Sequence, residues 1–119
     1  MLAKKNRADK KNIEKIWKEG RFLGSFNISL KFILIPGTTH PRVSFIVPKT
    51  VSKKATERNF LRRRGYAVIQ KKLNLLPKEL VGAFVFGKNS IRVFGGRKNK
   101  ENNPILNLNK EIGTIINRL

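Results

Sequence analysis

Alternating apolar residues predict two strands in the first half of the chain. From Phe26 to Ile35 every second residue is apolar, and the intervening positions are polar as far as Lys31. Side chains of a strand point alternately to opposite faces, so this pattern predicts a strand with one buried face. The run Arg42–Val47 alternates in the same way and ends at Pro48. Prolines and a glycine within residues 36–41 predict a loop between the two strands.

The first segment of the chain combines a basic stretch with a short helical pattern. Residues 1–11 carry five cations and have little to bury, which predicts a mobile arm. Apolar residues then recur at helical spacing: Ile13, Ile16 and Trp17. Asp9 or Asn12 can cap this helix at its start, and Gly20 can end it.

The second half of the chain predicts two longer helices and a hairpin. A basic helix runs from about Ala55 to Leu73, and a short apolar strand follows at Val81–Phe86. A turn then leads into a second strand, Ile91–Phe94. Residues 95–104 are rich in Gly, Lys and Asn, and predict a flexible loop. The last helix carries one apolar stripe, which comprises Leu108, Ile112, Ile115, Ile116 and Leu119.

The order of these elements predicts a single α/β domain of the α+β type over residues 1–119. A helix, two strands, the basic helix, two strands and a final helix follow one another, without an internal repeat. A two-layer sandwich accounts for this order, with a small mixed sheet of about four strands and three helices packed on it. A chain of 119 residues is long enough to bury a stable core.

The charge of the chain limits its possible partners. Lysine and arginine number 27 against 7 acidic residues, which gives a net charge of +20. Such a charge on a small domain favours a polyanion, and nucleic acid above all. We expect no membrane partner and a cytoplasmic location, because the sequence has neither a membrane-spanning apolar run nor a signal peptide. The absence of cysteine excludes disulfide-linked partners and thiolate metal sites.

Positive charge is densest between Lys49 and Arg64, where seven cations accompany one acid, Glu57. On a helix from Ala55, one face would carry Ala55, Arg58, Asn59, Arg62, Arg63 and Tyr66. The other side would carry Phe60, Leu61, Ala67 and Val68, with Arg64 and Lys71 among them. Arginine forks donate paired hydrogen bonds that match phosphate oxygens, so the first face is a candidate RNA-binding surface. The alternative is a basic face that is simply solvated.

Residue types and spacings indicate no catalytic or metal-binding site in the protein. The seven acids are scattered along the chain, and no pair has the spacing of a metal-binding carboxylate cluster. The single histidine, His40, lies in the predicted loop beside Pro41. A Ser-His-Asp arrangement, a phosphate-binding glycine loop and zinc-ligand spacing are all absent.

The stretch V-P-K-T-V-S-K-K-A-T-E-R-N-F-L-R-R-R, residues 47–64, resembles the signature of the bacterial ribonuclease P protein component. Arg58 and Asn59 match its R-N pair, and Arg62 to Arg64 match its basic triplet. The resemblance covers roughly residues 2–88 and the last helix, whereas residues 91–104 are poorly covered.

The chain departs from this signature inside the basic helix. Phe60 replaces a basic residue, which removes one expected RNA contact. Gly65 and Tyr66 replace a typical Leu-Arg, and Gly65 costs about 1 kcal/mol of helix propensity.

The resemblance implies two groups of functional residues. One group would hold the catalytic RNA: Lys49, Ser52, Lys53, Lys54, Arg58, Asn59, Arg62, Arg63 and Arg64. The other would line a cleft between the first helix and the sheet for the 5′ leader of precursor tRNA: Ile13, Trp17, Lys31 and Tyr66. Trp17 matches one of two family aromatics on that helix, Ile13 replaces the other, and Lys31 stands where a tyrosine is common. Trp17 could equally belong to the core, and a solvent-facing strand explains the polar positions around Lys31 as well as a cleft does.

The resemblance also implies the activity. The chain would be the protein subunit of ribonuclease P, an RNA-based endoribonuclease whose partners are the ribonuclease P RNA and precursor tRNA. Hydrolysis would be performed by the RNA subunit with Mg²⁺ bound mainly by that RNA, and no cofactor would bind to the protein itself. A left-handed crossover through the basic helix is also implied, against the usual rule.

Three other functions are compatible with a small basic domain. A structural RNA-binding protein of the ribosomal type would use the same helix without binding a leader. A DNA-binding protein is less favoured, because the pattern lacks a helix-turn-helix and a dimer seam. A protein-only nuclease is the least favoured, since it would need grouped carboxylates.

Overall fold

The computed structural model of the protein describes residues 2–96 and 103–119. Its four strands are β1 (Arg21–Gly24), β2 (Ile28–Leu34), β3 (Arg42–Ile46) and β4 (Leu80–Phe86). They form one sheet in the order β1-β2-β4-β3, in which β3 and β4 are parallel and the other pairs are antiparallel. The predicted α+β class with a mixed four-stranded sheet is confirmed.

Four α-helices accompany the sheet in the described part of the chain. They are α1 (Lys10–Glu19), α2 (Ala55–Gln70), α3 (Ser90–Phe94) and α4 (Pro104–Asn117). The basic helix α2 connects β3 to its parallel neighbour β4, as predicted. The left-handed sense of this crossover stays a prediction.

The first helix begins and ends at the residues that the sequence indicates. The Asp9 side chain accepts a 2.8 Å hydrogen bond from the Asn12 amide, and the Asn12 side chain accepts one of 3.1 Å from the Asp9 amide. This reciprocal pair is a capping box, which satisfies amides that a helix start leaves free. At the other end, the Gly20 amide donates to the Ile16 carbonyl at 2.7 Å.

The segment before α1 is packed against the sheet rather than unattached. Leu2 is buried in the main core, and Lys4–Asn6 form one 3-10 turn. The buried Asn6 side chain donates to the Pro41 carbonyl at 3.0 Å, and the Ala8 amide donates to the Val43 carbonyl at 3.1 Å. The expected mobile arm over residues 1–11 therefore differs from the structure, because buried apolar and hydrogen-bonded groups alternate with its cations.

Two strand predictions need correction. The predicted strand Ile91–Phe94 is wrong, since these residues belong to the short helix α3, in which Phe94 packs edge-on against Phe86 with ring centroids 5.9 Å apart. A four-residue run is too short to separate a period of two from a helical period. The strand β1 was not predicted, because Arg21–Gly24 has no clear alternation. Phe26 lies in the turn between β1 and β2 instead of inside a strand.

The two faces of the sheet carry separate apolar clusters. The main-core face packs against α2 and α4, and its buried residues include Leu30, Phe32, Val43, Phe45, Phe84 and Phe86. The opposite face, called the α1 face below, is partly covered by α1, whose Ile16 is buried with Ile33, Val81 and Ala83. Helices thus lie on both sides of the sheet, and α1 adds a partial layer to the predicted two-layer sandwich.

The last helix docks on the main core as its pattern predicts. The stripe residues Leu108, Ile112, Ile115 and Ile116 are buried, while Leu119 is exposed. Asn103 caps α4, because its side chain accepts from the Leu106 amide at 3.1 Å. The flexible loop predicted for residues 95–104 falls largely on residues 97–102, which lie outside the described residues.

Candidate RNA-binding surface

The loop before α2 is held to the first turn of that helix by Ser52. Its hydroxyl donates to the Glu57 carboxylate at 2.5 Å and accepts from the Lys54 amide at 3.1 Å. Its carbonyl accepts from Arg58 Nη1 at 2.9 Å. Ser52 and Arg58 therefore fix the geometry of the helix start, where Lys54 at the N-cap makes no side-chain cap bond. The sequence pattern gave Ser52 no such role.

The basic side chains around this helix start are open to solvent. Lys49, Lys53, Lys54, Asn59 and Arg63 are exposed, and Ser52, Arg58 and Arg62 are half-buried. Arg62 donates to the side chain of Asn59 one turn earlier, which orients its guanidinium along the helix surface. Leu61, Gly65, Val68 and Ile69 are buried on the opposite side. The helix therefore presents one basic, polar face outwards and one apolar face to the core. Leu61 and Val68 are buried as predicted, whereas Phe60 and Ala67 of the predicted apolar side are exposed.

Arg64 and Phe60 do not join the exposed basic face. The Arg64 guanidinium donates to the Phe94 carbonyl at 2.7 Å and lies 4.3 Å from the Phe60 ring centroid. Partial burial lowers the pKa of Arg64 from its ordinary value, although arginine stays protonated at neutral pH. Arg64 thus connects α2 to α3, with the Phe60 ring against its guanidinium, so it is turned away from the other predicted RNA-binding residues.

Three of the predicted cleft residues lie together on the α1 face. Lys31 Nζ is 4.8 Å from the Trp17 ring centroid and 3.4 Å from the Trp17 carbonyl oxygen, to which it donates. Trp17 is 45% exposed, which excludes a place in the core. Ile13 is half-buried against the cluster around Ile16 and Ile33. The α1 face therefore offers one aromatic ring and one cation beside an apolar floor.

Tyr66 lies elsewhere, at the β3 edge of the sheet. Its hydroxyl accepts a 3.3 Å hydrogen bond from the Phe45 amide, and the two rings meet edge-on at 5.1 Å. Tyr66 also lines an open pocket of about 730 Å³ between the N-terminal segment and α2. The other lining residues are Lys4, Lys5, Arg7, Ala8, Asp9 and Arg42. The sequence did not predict this basic pocket, since three of its four cations come from a segment that was expected to be mobile.

The described residues contain neither a metal-binding cluster nor a membrane-spanning helix. No group of three or more His, Asp or Glu side chains in the described residues could hold a metal ion. Within the same ranges, no helix has the length and apolar character needed to cross a membrane.

The structural comparison supports one fold. The RNase P protein from Thermotoga maritima matches with a TM-score of 0.79 at 20% identity, over 95% of this chain and 96% of that chain. The same protein in complex with 1-(4-fluorophenyl)-2-thiourea matches with a TM-score of 0.75 at 20% identity, over 92% of this chain and 94% of that chain. A mutant Staphylococcus aureus RNase P protein with defective mRNA degradation activity matches with a TM-score of 0.76 at 12% identity, over 95% of this chain and 86% of that chain. At these identities the likeness concerns the fold alone.

The sequence comparison identifies the family. A search among curated proteins found no match. The family model described as Ribonuclease P matches residues 2–118, which is nearly the whole chain and includes the basic stretch on α2. The chain therefore belongs to the Ribonuclease P family.

Proposed function

We propose that this chain is the protein subunit of ribonuclease P and assists an RNA catalyst in removing the 5′ leader of precursor tRNA. One observation carries the proposal: a chain of this family holds its densest cluster of cations on α2 and the loop before it, above buried apolar residues of the same helix. In this cluster Lys49, Lys53, Lys54 and Arg63 are exposed, and Arg58 and Arg62 are half-buried. Family membership implies a ribonuclease P RNA as partner. A net charge of +20 supports an RNA partner independently.

The catalytic RNA would dock on the exposed face of α2 and the loop before it. Duplex RNA offers its shape and phosphates more readily than its base edges, so arginine and lysine side chains suit it. Arg58 and Arg62 are each oriented by a hydrogen bond, to the Ser52 carbonyl and the Asn59 side chain. Such orientation lowers the entropy that a side chain loses when it binds a phosphate.

The leader would bind on the α1 face, where Trp17 and Lys31 are adjacent. An exposed aromatic ring next to a cation suits single-stranded RNA, because bases stack on the ring and phosphates pair with the cation. A second RNA contact on the same protein would favour precursor over mature tRNA. Tyr66 is not part of this surface.

The chemistry would belong to the RNA. Neutralising RNA phosphates reduces the repulsion that metal ions otherwise counter, so the protein would lower the Mg²⁺ concentration that the RNA needs. Mg²⁺ would be bound mainly by the RNA subunit, and the protein would carry no catalytic residue. The cytoplasm, where tRNA precursors are made, is the corresponding location.

Leader cleavage at low Mg²⁺ tests the proposal, with the ribonuclease P RNA of the same organism alone, the protein alone, and both together. We expect cleavage only in the mixture. An RNA that is active at high Mg²⁺ but gains nothing from the protein would contradict the proposal and favour a structural RNA-binding protein. Cleavage by the protein alone would contradict the assignment of catalysis to the RNA.

A further inference from the structure

One aromatic ring lies exposed on the helix that carries the basic face. Phe60 of α2 stands where the family signature has a basic residue, and 37% of its surface is exposed. Thr56, Phe60 and Arg63 recur at helical spacing, so they share one stripe of α2. This stripe lies next to the basic face of the helix, and Arg63 belongs to both.

The Phe60 ring is supported by Arg64. The Arg64 guanidinium lies over the ring, with its Cζ 4.3 Å from the ring centroid, and donates to the Phe94 carbonyl of α3 at 2.7 Å. The cation–π contact and the hydrogen bond hold the guanidinium and the ring as one stack between α2 and α3. A ligand on the exposed part of the ring would therefore meet an aromatic surface whose orientation is already set.

An open hollow of about 360 Å³ lies beside this ring. Its lining consists of Phe60, Ile91, Thr56, Glu57 and Arg63, together with the two glycines that follow α3. Gly96 has a φ of 83°, and no atom lies within 4 Å of the place where its Cβ would be. The chain after α3 thus leaves the hollow open. Its volume falls in the range of about 300–1,000 Å³ that is typical of small-molecule sites.

The lining suits a flat aromatic group that is attached to a phosphate. Phe60 and Ile91 offer apolar surface, and the exposed Arg63 offers a cation. The Glu57 carboxylate, which accepts from the Ser52 hydroxyl at 2.5 Å, disfavours a phosphate inside the hollow and can accept from an N–H group. Nucleobases combine N–H groups with a face that stacks on an aromatic side chain. A base inside the hollow, with its phosphate outside at Arg63, satisfies both conditions.

We propose that this hollow holds one unpaired base of an RNA docked on α2, and that the base stacks on Phe60 while Arg63 contacts its phosphate. The inference rests on the proposed function, because the RNA is then the ribonuclease P RNA on the neighbouring basic face. Phe60 thus supplies a stacking contact where the family signature has a charge. The affinity that stacking contributes depends less on salt than that of a phosphate contact.

Affinity of the protein for the ribonuclease P RNA over a series of KCl concentrations tests the inference. Phe60→Leu keeps an apolar side chain but removes the aromatic plane, so it should weaken binding by about fivefold or more. The slope of log affinity against log salt should not change, since no phosphate contact is lost. Phe60→Trp should keep the affinity of the wild type. Phe26→Leu is the matched control and should have no effect, since Phe26 is 98% exposed at the β1–β2 turn beside α4.

Chemical probing of the RNA locates the base. Dimethyl sulfate and a carbodiimide together modify the accessible Watson–Crick edges of all four bases. We expect one unpaired base that the wild-type protein protects and that becomes reactive in the complex with Phe60→Leu. Removing that base from the RNA, as an abasic nucleotide, should weaken binding of the wild type and cause no further loss with Phe60→Leu.

The outcomes separate this contact from the proposed function. Equal affinity of the wild type and Phe60→Leu, for an RNA that the wild type binds, would overturn the inference and leave the proposed function standing. A weaker Phe60→Leu complex in which no base gains reactivity would also overturn it, since the ring would then only support Arg64. An equal loss with Phe26→Leu would overturn it as well. A wild-type protein that does not bind the ribonuclease P RNA would overturn the proposed function and this inference together.

Discussion

At the scale of single residues, two helical glycines show how much the surroundings matter. Gly65 lies where α2 approaches β3, and a Cβ there would come within 2.5 Å of the Phe45 ring. That ring is stacked on Phe84 at 4.9 Å and touches Tyr66, so it has little freedom to move. Gly113 in α4 has open space at the same point. Gly65 therefore allows close packing, whereas Gly113 only weakens its helix.

The two alanine variants should change stability in opposite directions. Gly113→Ala should raise the free energy of unfolding by about 0.5–1 kcal/mol, through higher helix propensity. Gly65→Ala gains the same propensity but overpacks the core, which typically costs about 1–3 kcal/mol, so a net loss is expected. Urea denaturation followed by circular dichroism measures both. A Gly65→Ala protein as stable as Gly113→Ala would show that the contact with Phe45 does not limit packing.

Several residue roles could not be predicted, because a helical wheel gives a direction but not a partner. The wheel placed Arg62 and Arg63 outwards and Leu61 inwards, which the structure matches. The wheel could not show that Arg64 donates to the Phe94 carbonyl, since the residues of α3 were predicted to form a strand. The position of Phe22 could not be predicted, because its strand is short and its pairing with Lys31 exists only in the folded sheet.

At the scale of elements, α2 carries exposed and half-buried cations on the face opposite the core. Removing one of them should weaken RNA binding without unfolding the helix. Arg62→Ala should reduce the slope of log affinity against log salt by about one, since one phosphate contact is lost. Affinity for the ribonuclease P RNA over a series of KCl concentrations measures this. Lys110→Ala, at an exposed position of α4, is the control and should leave the slope unchanged.

An unchanged slope for Arg62→Ala, with circular dichroism showing a folded protein, would contradict the assignment of α2 to RNA docking. Arg58→Ala is a less specific test. Arg58 also donates to the Ser52 carbonyl at 2.9 Å, so its removal can disturb the helix start.

The β1–β2 turn is fastened to α4 by Glu111. Its carboxylate accepts from the Ser25 hydroxyl at 2.5 Å, the Asn27 amide at 2.7 Å and the Asn27 side chain at 2.9 Å. Arg118 adds a 2.9 Å bond to the Gly24 carbonyl. The last helix and Arg118 thus position the end of β1 and the turn that follows it.

Loss of this connection should lower stability more than a surface substitution does. Hydrogen bonds to charged groups contribute about 1.5–3 kcal/mol, so Glu111→Ala should lower the free energy of unfolding by a similar amount. Thr114→Ala, one turn later and exposed, should cost less than about 0.5 kcal/mol. Thermal and urea unfolding measure both. Equal stability of the two variants would mean that the turn is held without Glu111.

At the scale of the whole molecule, the fold class followed from the order of its elements, while the details depended on tertiary contacts. Strong patterns predicted α1, β2, β3, α2, β4 and α4, and the α+β class with them. The N-terminal segment was predicted to be mobile because most of its side chains are polar or charged. That pattern does not reveal that Leu2 and Asn6 are buried and anchor the segment. Handedness of the β3–α2–β4 connection is not encoded in hydrophobic periodicity at all.

The net charge of +20 gives a prediction for the free protein. Like charges repel more strongly in the compact state, and salt screens them. Raising KCl from about 0.1 M to about 1 M shortens the Debye length from about 10 Å to about 3 Å. The melting temperature should therefore rise, by on the order of 4 °C per kcal/mol of relieved repulsion.

A less charged variant separates screening from other effects of salt. Lys71, Lys78 and Lys88 are exposed and lie outside the proposed RNA-binding residues. Replacing all three by glutamine should raise the melting temperature at low salt and reduce the response to KCl, because less repulsion remains to be screened. Thermal unfolding of both proteins at matched salt concentrations measures the difference. If the melting temperatures of both proteins rise equally with KCl, salt does not act by screening charge repulsion. The free protein then tolerates its cationic surface without an RNA partner.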